Sequence, residues 1–372
     1  MMMDYTKKQI ALARDKSTHI PSLALFEDKT SHTPPTLFED KTSHTPPDGP
    51  KKVNKTIEIV SVPSLLDSSA VPLNIAIELD EHLICRILSN AYQHVSITII
   101  NEKVDLDQLA ARRPDLVFSG VKYFDFGNER LWLNDYLDQH GIAYVASNKA
   151  ALDGEFDKGN AKALIKKAGL ATADYFTTAP NENPIVSSIP IAFPLFVKPV
   201  NGGNSKGVDA RSIVNNFADF KSKVATIWDK QNSRSLVEAY LSGREFSVGI
   251  FEDCASGLLT AMPIEIIAPK NENGQRILDF DIKRLDSEQV IAVKNPAIRE
   301  QLSALAKSAF VALSGKAFGR IDIKMDHQHI LHFIEANLMP GLRKGYFYRS
   351  CKINLGLTYE QMILRIANNG LT

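Results

Sequence analysis

The sequence predicts an α/β protein, with an open parallel sheet toward its N-terminal end and an α+β arrangement in its C-terminal half. Three observations carry this expectation. Short β-branched runs alternate with helical patterns between residues 56 and 168, as in parallel strands joined by crossover helices. From Phe193 onward strand patterns follow one another with few helices between them. The 372 residues, 44% of them hydrophobic, hold enough apolar material for two or three domains with cores of their own.

The charge balance narrows the class. Forty-three Lys and Arg face 43 Asp and Glu, so the basic excess of a dedicated nucleic-acid or membrane-surface binder is missing. No apolar run reaches the roughly 18 residues of a membrane-spanning helix. The start, MMMDYTKKQIALARDKST, has no secretory apolar core. Cys85, Cys254 and Cys351 stand far apart, without the spacing of a disulfide framework or zinc knuckle. These bounds describe a soluble cytoplasmic protein.

Residues 1–52 differ from the rest. LFEDKTSHTPP occurs at residues 25–35 and again at 37–47. Each copy offers a core only Leu and Phe, too little apolar area to offset the entropy of ordering twelve residues. The segment is expected to be a disordered tail left by an in-frame duplication. A sharper reading makes it a tethered peptide substrate or docking tag. His32 and His44 are too sparse for a metal tract.

Beyond the tail, residues 56–63 read as a first strand and 74–90 as a helical stretch. Residues 95–100 and 115–120 follow as strands, 129–140 as a helix and 142–147 as a fourth strand. Residues 156–168 carry Ala, Leu and Ile at helical spacing and stop at Gly169. Strands are then expected at FPLFVKP, GVDARSIV, SLVEAYL, EFSVGIFED and LLTAMPIEIIAP. A helix over 296–314, the strand pair GRIDIKMD and HILHFIEANLMP, and a helix over 358–367 close the chain.

The chemistry lies in the second half. Strand alternation puts Arg320, Asp322 and Lys324 on one face of GRIDIKMD, and Leu331, Phe333, Glu335 and Asn337 on one face of the next strand. If the two pair as a hairpin, Asp322, Glu335 and Asn337 form an oxygen-only donor set suited to Mg²⁺, with Mn²⁺ as a substitute. In FVKPVNGGNSKGV a strand delivers Lys198 to a loop rich in Gly, with Asn204 and Ser205, which can expose backbone N–H groups to a phosphate. This loop is neither a P-loop nor a dinucleotide fingerprint. In SLVEAYLSGREFS, Glu238 and the backbone of Ala239, Tyr240 and Leu241 can meet a purine, and Glu245 ribose hydroxyls. His327, His329 and His332 straddle the hairpin turn and read as solvated turn residues.

Taken in order, DK…AK…AGL from Asp157 to Leu170, VKP with its Gly-rich loop, VEAYLSGREFSV, GRIDIKMD and FIEANLMPG resemble the ATP-grasp carboxylate–amine ligases, in particular the D-alanine–D-alanine ligase branch. The resemblance covers roughly residues 115–365. It implies a preATP-grasp domain (53–152), a central lid subdomain (153–242) and a C-terminal catalytic subdomain (243–372), with ATP between the last two. It further implies that Lys158 and Lys198 contact phosphates and that Lys283 reaches the γ-phosphate. Two Mg²⁺ ions would sit on Asp322, Glu335 and Asn337, with Arg320 and the Gly341 backbone stabilising an oxyanion. Small-molecule or peptide carboxylates and amines are the partners expected, with a homodimer through the N-terminal domain.

The substrate segments depart from that family's pattern. Residues 60–70 (VSVPSLLDSSA) lack the glutamate that holds the first amino acid's ammonium, and residues 119–129 (SGVKYFDFGNE) lack the HGxxGEDG histidine. Arg284 stands where a tyrosine is expected, and LRKGYFY comes after MPG in place of a small hydroxyl run. Arg284, Arg343, Lys344 and Tyr346 therefore point to an anionic or larger substrate. The expectation is an ATP-dependent ligase forming an amide bond through an acylphosphate. The alternatives are a D-alanine–D-alanine ligase proper, a phosphoryl-transferring relative, and a catalytically silent nucleotide-binding protein.

Overall fold

The computed structural model describes residues 51–63, 79–127, 129–203 and 205–372. The duplicated LFEDKTSHTPP segment lies outside the described residues, as does most of VSVPSLLDSSA.

The first element, β1 (Val53–Ser61), is β-branched and runs into the core through Ile57 and Ile59. Helix α1 (Glu81–Ala91), capped by Asp80, leads to β2 (Tyr92–Ile99), and α2 (Lys103–Arg112) to β3 (Leu116–Ser119). The three strands form a parallel sheet ordered β2-β1-β3. Residues 142–147, expected as a fourth strand, make only one parallel bridge, Val117 to Tyr144. The segment stops there because Ala146 takes a positive φ of 78° and Asn148 caps the next helix.

A second departure concerns residues 129–140. Their first four residues form β5 (Glu129–Trp132), antiparallel to β4 (Tyr123–Phe126), and α3 (Leu133–Gln139) begins only afterwards. Cross-strand pairing wins locally: Tyr123 and Trp132 ring centroids lie 5.3 Å apart, and Arg130 stacks on Tyr123 while bonding Asp125 at 2.9 Å.

Two helices, α4 (Lys149–Phe156) and α5 (Lys158–Lys167), lead into a four-stranded antiparallel sheet. Its strands are β6 (Tyr175–Thr178), β7 (Leu195–Pro199), β8 (Ile213–Val214) and, after α6 (Phe217–Gln231), β9 (Ser235–Ala239), in the order β6-β9-β7-β8. The strand expected over GVDARSIV shrinks to two residues. Asp209 instead caps a single 3₁₀ turn, accepting from the Arg211 amide while Ser212 Oγ accepts from its own.

The C-terminal sheet is antiparallel, ordered β12-β11-β10-β13-β14. Its elements are β10 (Glu245–Glu252), β11 (Leu259–Ile267), α7 (Phe280–Leu285), β12 (Gln289–Ala292), α8 (Pro296–Ala312), β13 (Phe318–Met325) and β14 (Leu331–Asn337). Helices α9 (Tyr346–Leu355) and α10 (Tyr359–Gly370) finish the chain. Phe246, Val248, Ile250, Ile321, Ile323 and Phe333 meet Phe310 and Phe347 in the main core. Helix α9 was not anticipated, since its first residues read as a substrate-facing loop; Phe347, Ser350 and Cys351 on its buried side follow helical spacing. Among the described residues no helix is long and apolar enough to cross a membrane.

The strand pair β13/β14 corrects the alternation expected for residues 330–337. Asp322 pairs with Glu335, but Ile323 pairs with Phe333, leaving Ile334 as an extra residue. Leu331 and Phe333 therefore lie with the core, opposite Met325 and Ile323, while Glu335 and Asn337 lie opposite Asp322 and Arg320. A bulge of this kind shifts the pleat by one residue and re-aims the side chains beyond it. Without it, Glu335 would share a face with Phe333.

Candidate active site

Two adjoining clefts share Lys158, Gly203, Lys206, Lys283 and Glu335 as wall residues. The first is bounded by Phe196, Lys198, Ser205, Glu238–Leu241, Glu245, Ile277, Leu278 and Asp322. The second is bounded by Lys122, Glu155, Arg284, Glu288, Arg320, Asn337, Gly341, Arg343, Tyr346 and Arg349.

The first cleft is built by the central and C-terminal sheets. Strand β7 carries Lys198 beside Glu238 of β9, and the two side chains meet at 2.8 Å. Lys162, on α5, reaches the other oxygen of the same carboxylate at 2.6 Å. Burial opposes the Glu238 charge, but the two ammonium groups more than offset it and hold the carboxyl down at about 2. Lys158 begins α5, and its ammonium donates to the Gly202 carbonyl at 2.5 Å; burial pulls it down to about 8. Ser205 Oγ donates to the Leu278 carbonyl at 3.0 Å, pinning the Gly-rich loop across the cleft. Asn204 lies outside the described residues.

The purine-facing segment is tied down at both ends. The Ala239 amide donates to Asp174 O at 2.9 Å and the Tyr240 amide to Pro194 O at 3.2 Å. Two residues beyond Leu241, Gly243 donates to Met325 O at 3.0 Å. A Cβ at Gly243 would fall 2.8 Å from the Met325 and Asp326 carbonyl oxygens, so only glycine permits this approach to β13. Glu245 accepts from Lys324 at 2.8 Å across the β10/β13 register.

At the junction of the clefts, Arg320 makes a two-point contact with Asp322 at 3.0 and 2.9 Å. Asp322 also accepts from Ser247 Oγ at 2.6 Å, and the Asn337 amide approaches it at 3.5 Å. Burial works against the Glu335 charge; Lys198, Lys283, Lys158 and Arg320 overcome it and lower its carboxyl. Asp322 and Glu335 thus lie at one register position of the strand pair, with Asn337 at the next site along β14 and its amide nitrogen toward Asp322. Among the described residues no group of three or more His, Cys, Asp or Glu could hold a metal. A divalent cation here would have two carboxylates and an amide, and would need phosphate oxygens to complete its shell.

Of the residues assigned to substrate, Arg284, Arg343 and Tyr346 line the second cleft. Arg284 pairs with Asp281 at 3.1 Å. The Tyr346 hydroxyl donates to Glu288 at 2.7 Å and its ring lies 5.4 Å from the Arg320 guanidinium. Lys344 is exposed and not part of the wall. Sequence reasoning missed Lys206, Glu155 and Glu288 and gave Lys162 no role. Glu155 holds Lys122 and accepts from the Leu338 amide. Lys206, two residues past Asn204 in the Gly-rich loop, was the one with a legible signal. His332, expected in solvent, bonds Asp326 at 3.0 Å from β14.

Residues 164–368 match the family model described as D-ala D-ala ligase C-terminus. The chain is 30% identical over 256 residues to D-alanine–D-alanine ligase A of Mesorhizobium japonicum, covering 67% of this chain and 69% of that protein. It is 26% identical over 302 residues to D-alanine–D-alanine ligase A of Bacillus cereus, covering 80% and 93%. Among solved structures, it resembles VanG D-Ala:D-Ser ligase from Enterococcus faecalis with a TM-score of 0.65, at 18% identity over 86% of this chain and all of that one. The D-alanine–D-alanine ligase from Bacillus anthracis complexed with ATP gives 0.62, at 20% identity over 85% and 97%. At these identities the structural neighbours speak for the fold, which is ATP-grasp.

Proposed function

The chain belongs to the D-alanine–D-alanine ligase family, and from that premise we propose that it joins a carboxylate to an amine at the expense of ATP, through an acylphosphate, on substrates other than two D-alanines. The observation that carries this reading is the shared wall of the two clefts. Lys158, Lys283 and Glu335 border both, so a triphosphate in the first cleft ends where a carboxylate in the second can reach it.

In this reading the adenine lies against Tyr240 and Leu241. The amides of Ala239 and Tyr240 are already committed. Purine recognition therefore falls to carbonyls of the segment, the Leu241 amide and Glu238. Glu245, fixed by Lys324, takes the ribose. Lys158, Lys198 and Lys283 neutralise the phosphates beneath the Gly-rich covering loop that contains Asn204 and Ser205. Two Mg²⁺ ions on Asp322, Glu335 and Asn337 would supply charge neutralisation on the transferring phosphoryl group.

A carboxylate oxygen attacks the γ-phosphorus, and the bond to the bridging oxygen breaks with ADP leaving. The amine then attacks the acyl carbon, and phosphate departs as the amide forms. Arg320, oriented by its two-point contact with Asp322, and the Gly341 amide face the oxyanion of that second step. The Gly-rich loop, latched by Ser205, excludes the water that would hydrolyse the acylphosphate.

The test is ADP release measured over panels of amino acids, short peptides and small acids. The reading requires release that depends on both a carboxylate and an amine, and a sharp fall in turnover with an unchanged melting curve in Asp322→Asn. Release equal with and without amine would mark a phosphatase or transferase instead.

A further inference from the structure

Glu238 is shared by two lysines that differ in their surroundings. Lys198 belongs to the nucleotide cleft wall. Lys162 does not; its side chain has no exposed surface and lies behind the carboxylate. Its ammonium also donates to Thr172 Oγ1 at 2.5 Å, and that hydroxyl donates to the Phe333 carbonyl at 2.8 Å. Lys162 is thus anchored between α5 and β14 and has no route to a ligand. A buried lysine costs free energy unless it is paired, so this one needs Glu238 as much as Glu238 needs it.

The arrangement matters once phosphates arrive. A triphosphate competes with Glu238 for the Lys198 ammonium. Were Lys198 its sole cation, Glu238 would be left as an unpaired buried charge, and ATP binding would carry that penalty. Building on the nucleotide reading above, we infer that Lys162 is a positioning residue: a fixed counter-ion that keeps Glu238 charged and aimed while Lys198 transfers to the phosphates. The oxygen that Lys198 vacates then accepts from the 6-amino group of adenine. Preference for a 6-amino over a 6-oxo purine therefore depends on a lysine that touches no nucleotide.

Direct titration of the full chain with ATP and with inosine triphosphate separates this from simple structural support. Wild type should bind ATP more tightly. Lys162→Met should weaken ATP roughly tenfold or more and inosine triphosphate about twofold or less, erasing the preference. Lys198→Ala, which removes a phosphate contact, should weaken both nucleotides to a similar degree. Should Lys162→Met fail to fold, Thr172→Val, which unseats the ammonium, should reduce the preference in the same direction. Equal losses for both nucleotides in Lys162→Met, or in Thr172→Val where that variant is the one read, would overturn the inference and leave Lys162 a packing residue. Wild type that binds ATP without preferring it over inosine triphosphate would overturn it too. Absence of any nucleotide binding by wild type would instead bring down the ligase reading on which it rests.

Discussion

Two buried lysines, Lys162 and Lys198, each lie within hydrogen-bond distance of the buried Glu238 carboxylate. Two predictions belong at this scale. Lys198→Ala removes a charge-assisted phosphate contact worth roughly 1.5–3 kcal/mol, so ATP should bind about ten- to a hundredfold more weakly by calorimetric titration. An unchanged affinity would take Lys198 out of the site. The second concerns acid. The Glu238 carboxyl is lowered to about 2 from an ordinary 4.5, so its stabilising contribution is complete above about pH 4.5 and lost as pH falls through about 2. Glu238→Gln strands two buried lysines and should cost about 3–5 kcal/mol at neutral pH. Denaturant unfolding should show the gap to wild type narrowing between pH 4.5 and 2; a constant gap would mean the carboxylate is not charged in the fold.

At the scale of elements, the sequence was most legible where one period governed a whole segment. β13 falls where alternation put it, and β7, β9 and β10 fall on the apolar runs expected as strands, which are buried along almost their whole length. It was least legible where a local interaction overrode the period. The bulge at Ile334 has no signature in residue type, yet it decides that Glu335 faces Asp322. Asp209 turned an expected strand into a capped turn, and the Tyr123–Trp132 contact turned the first third of a helix into a strand. Conversely, the nucleotide half of the site was readable because its residues sit in contiguous strand-and-loop motifs. Glu155 and Glu288 reach the second cleft through tertiary packing alone. Helix α9 illustrates this: Tyr346 donates to Glu288 while Arg349, one turn on, pairs with Asp286, clamping the helix start to the loop before β12. Tyr346→Phe leaves Glu288 without that donor and should cost about 1–3 kcal/mol in unfolding free energy. Because the ring also lies over Arg320, kcat should fall with ATP affinity retained. Wild-type stability and kcat together in that variant would dissociate α9 from the site.

Across the whole molecule, the two clefts differ in what lines them. Every position assigned to nucleotide or metal and lying among the described residues borders one or both clefts. The second cleft carries Arg284, Arg343, Arg349 and Tyr346 together with Glu155, Asp286 and Glu288, a strongly charged wall for a substrate with a one-carbon side chain. Specificity is a difference of binding energies, and a small zwitterion in a charged cleft leaves polar groups of the wall poorly matched. Two D-alanines should therefore be poor substrates, although the relatives at up to 30% identity carry that activity in their names. With D-alanine as sole amino acid, ADP release should stay at the rate seen with ATP alone. Larger amino acids or short peptides bearing an additional carboxylate should raise it, with the gain in kcat/KM. Arg343→Ala should then reduce kcat/KM for the accepted substrate and leave ATP affinity unchanged. Brisk, saturable ADP release with D-alanine alone would show that the rewritten cleft still serves the family's substrate, and that its arginines act in the fold and not in selection.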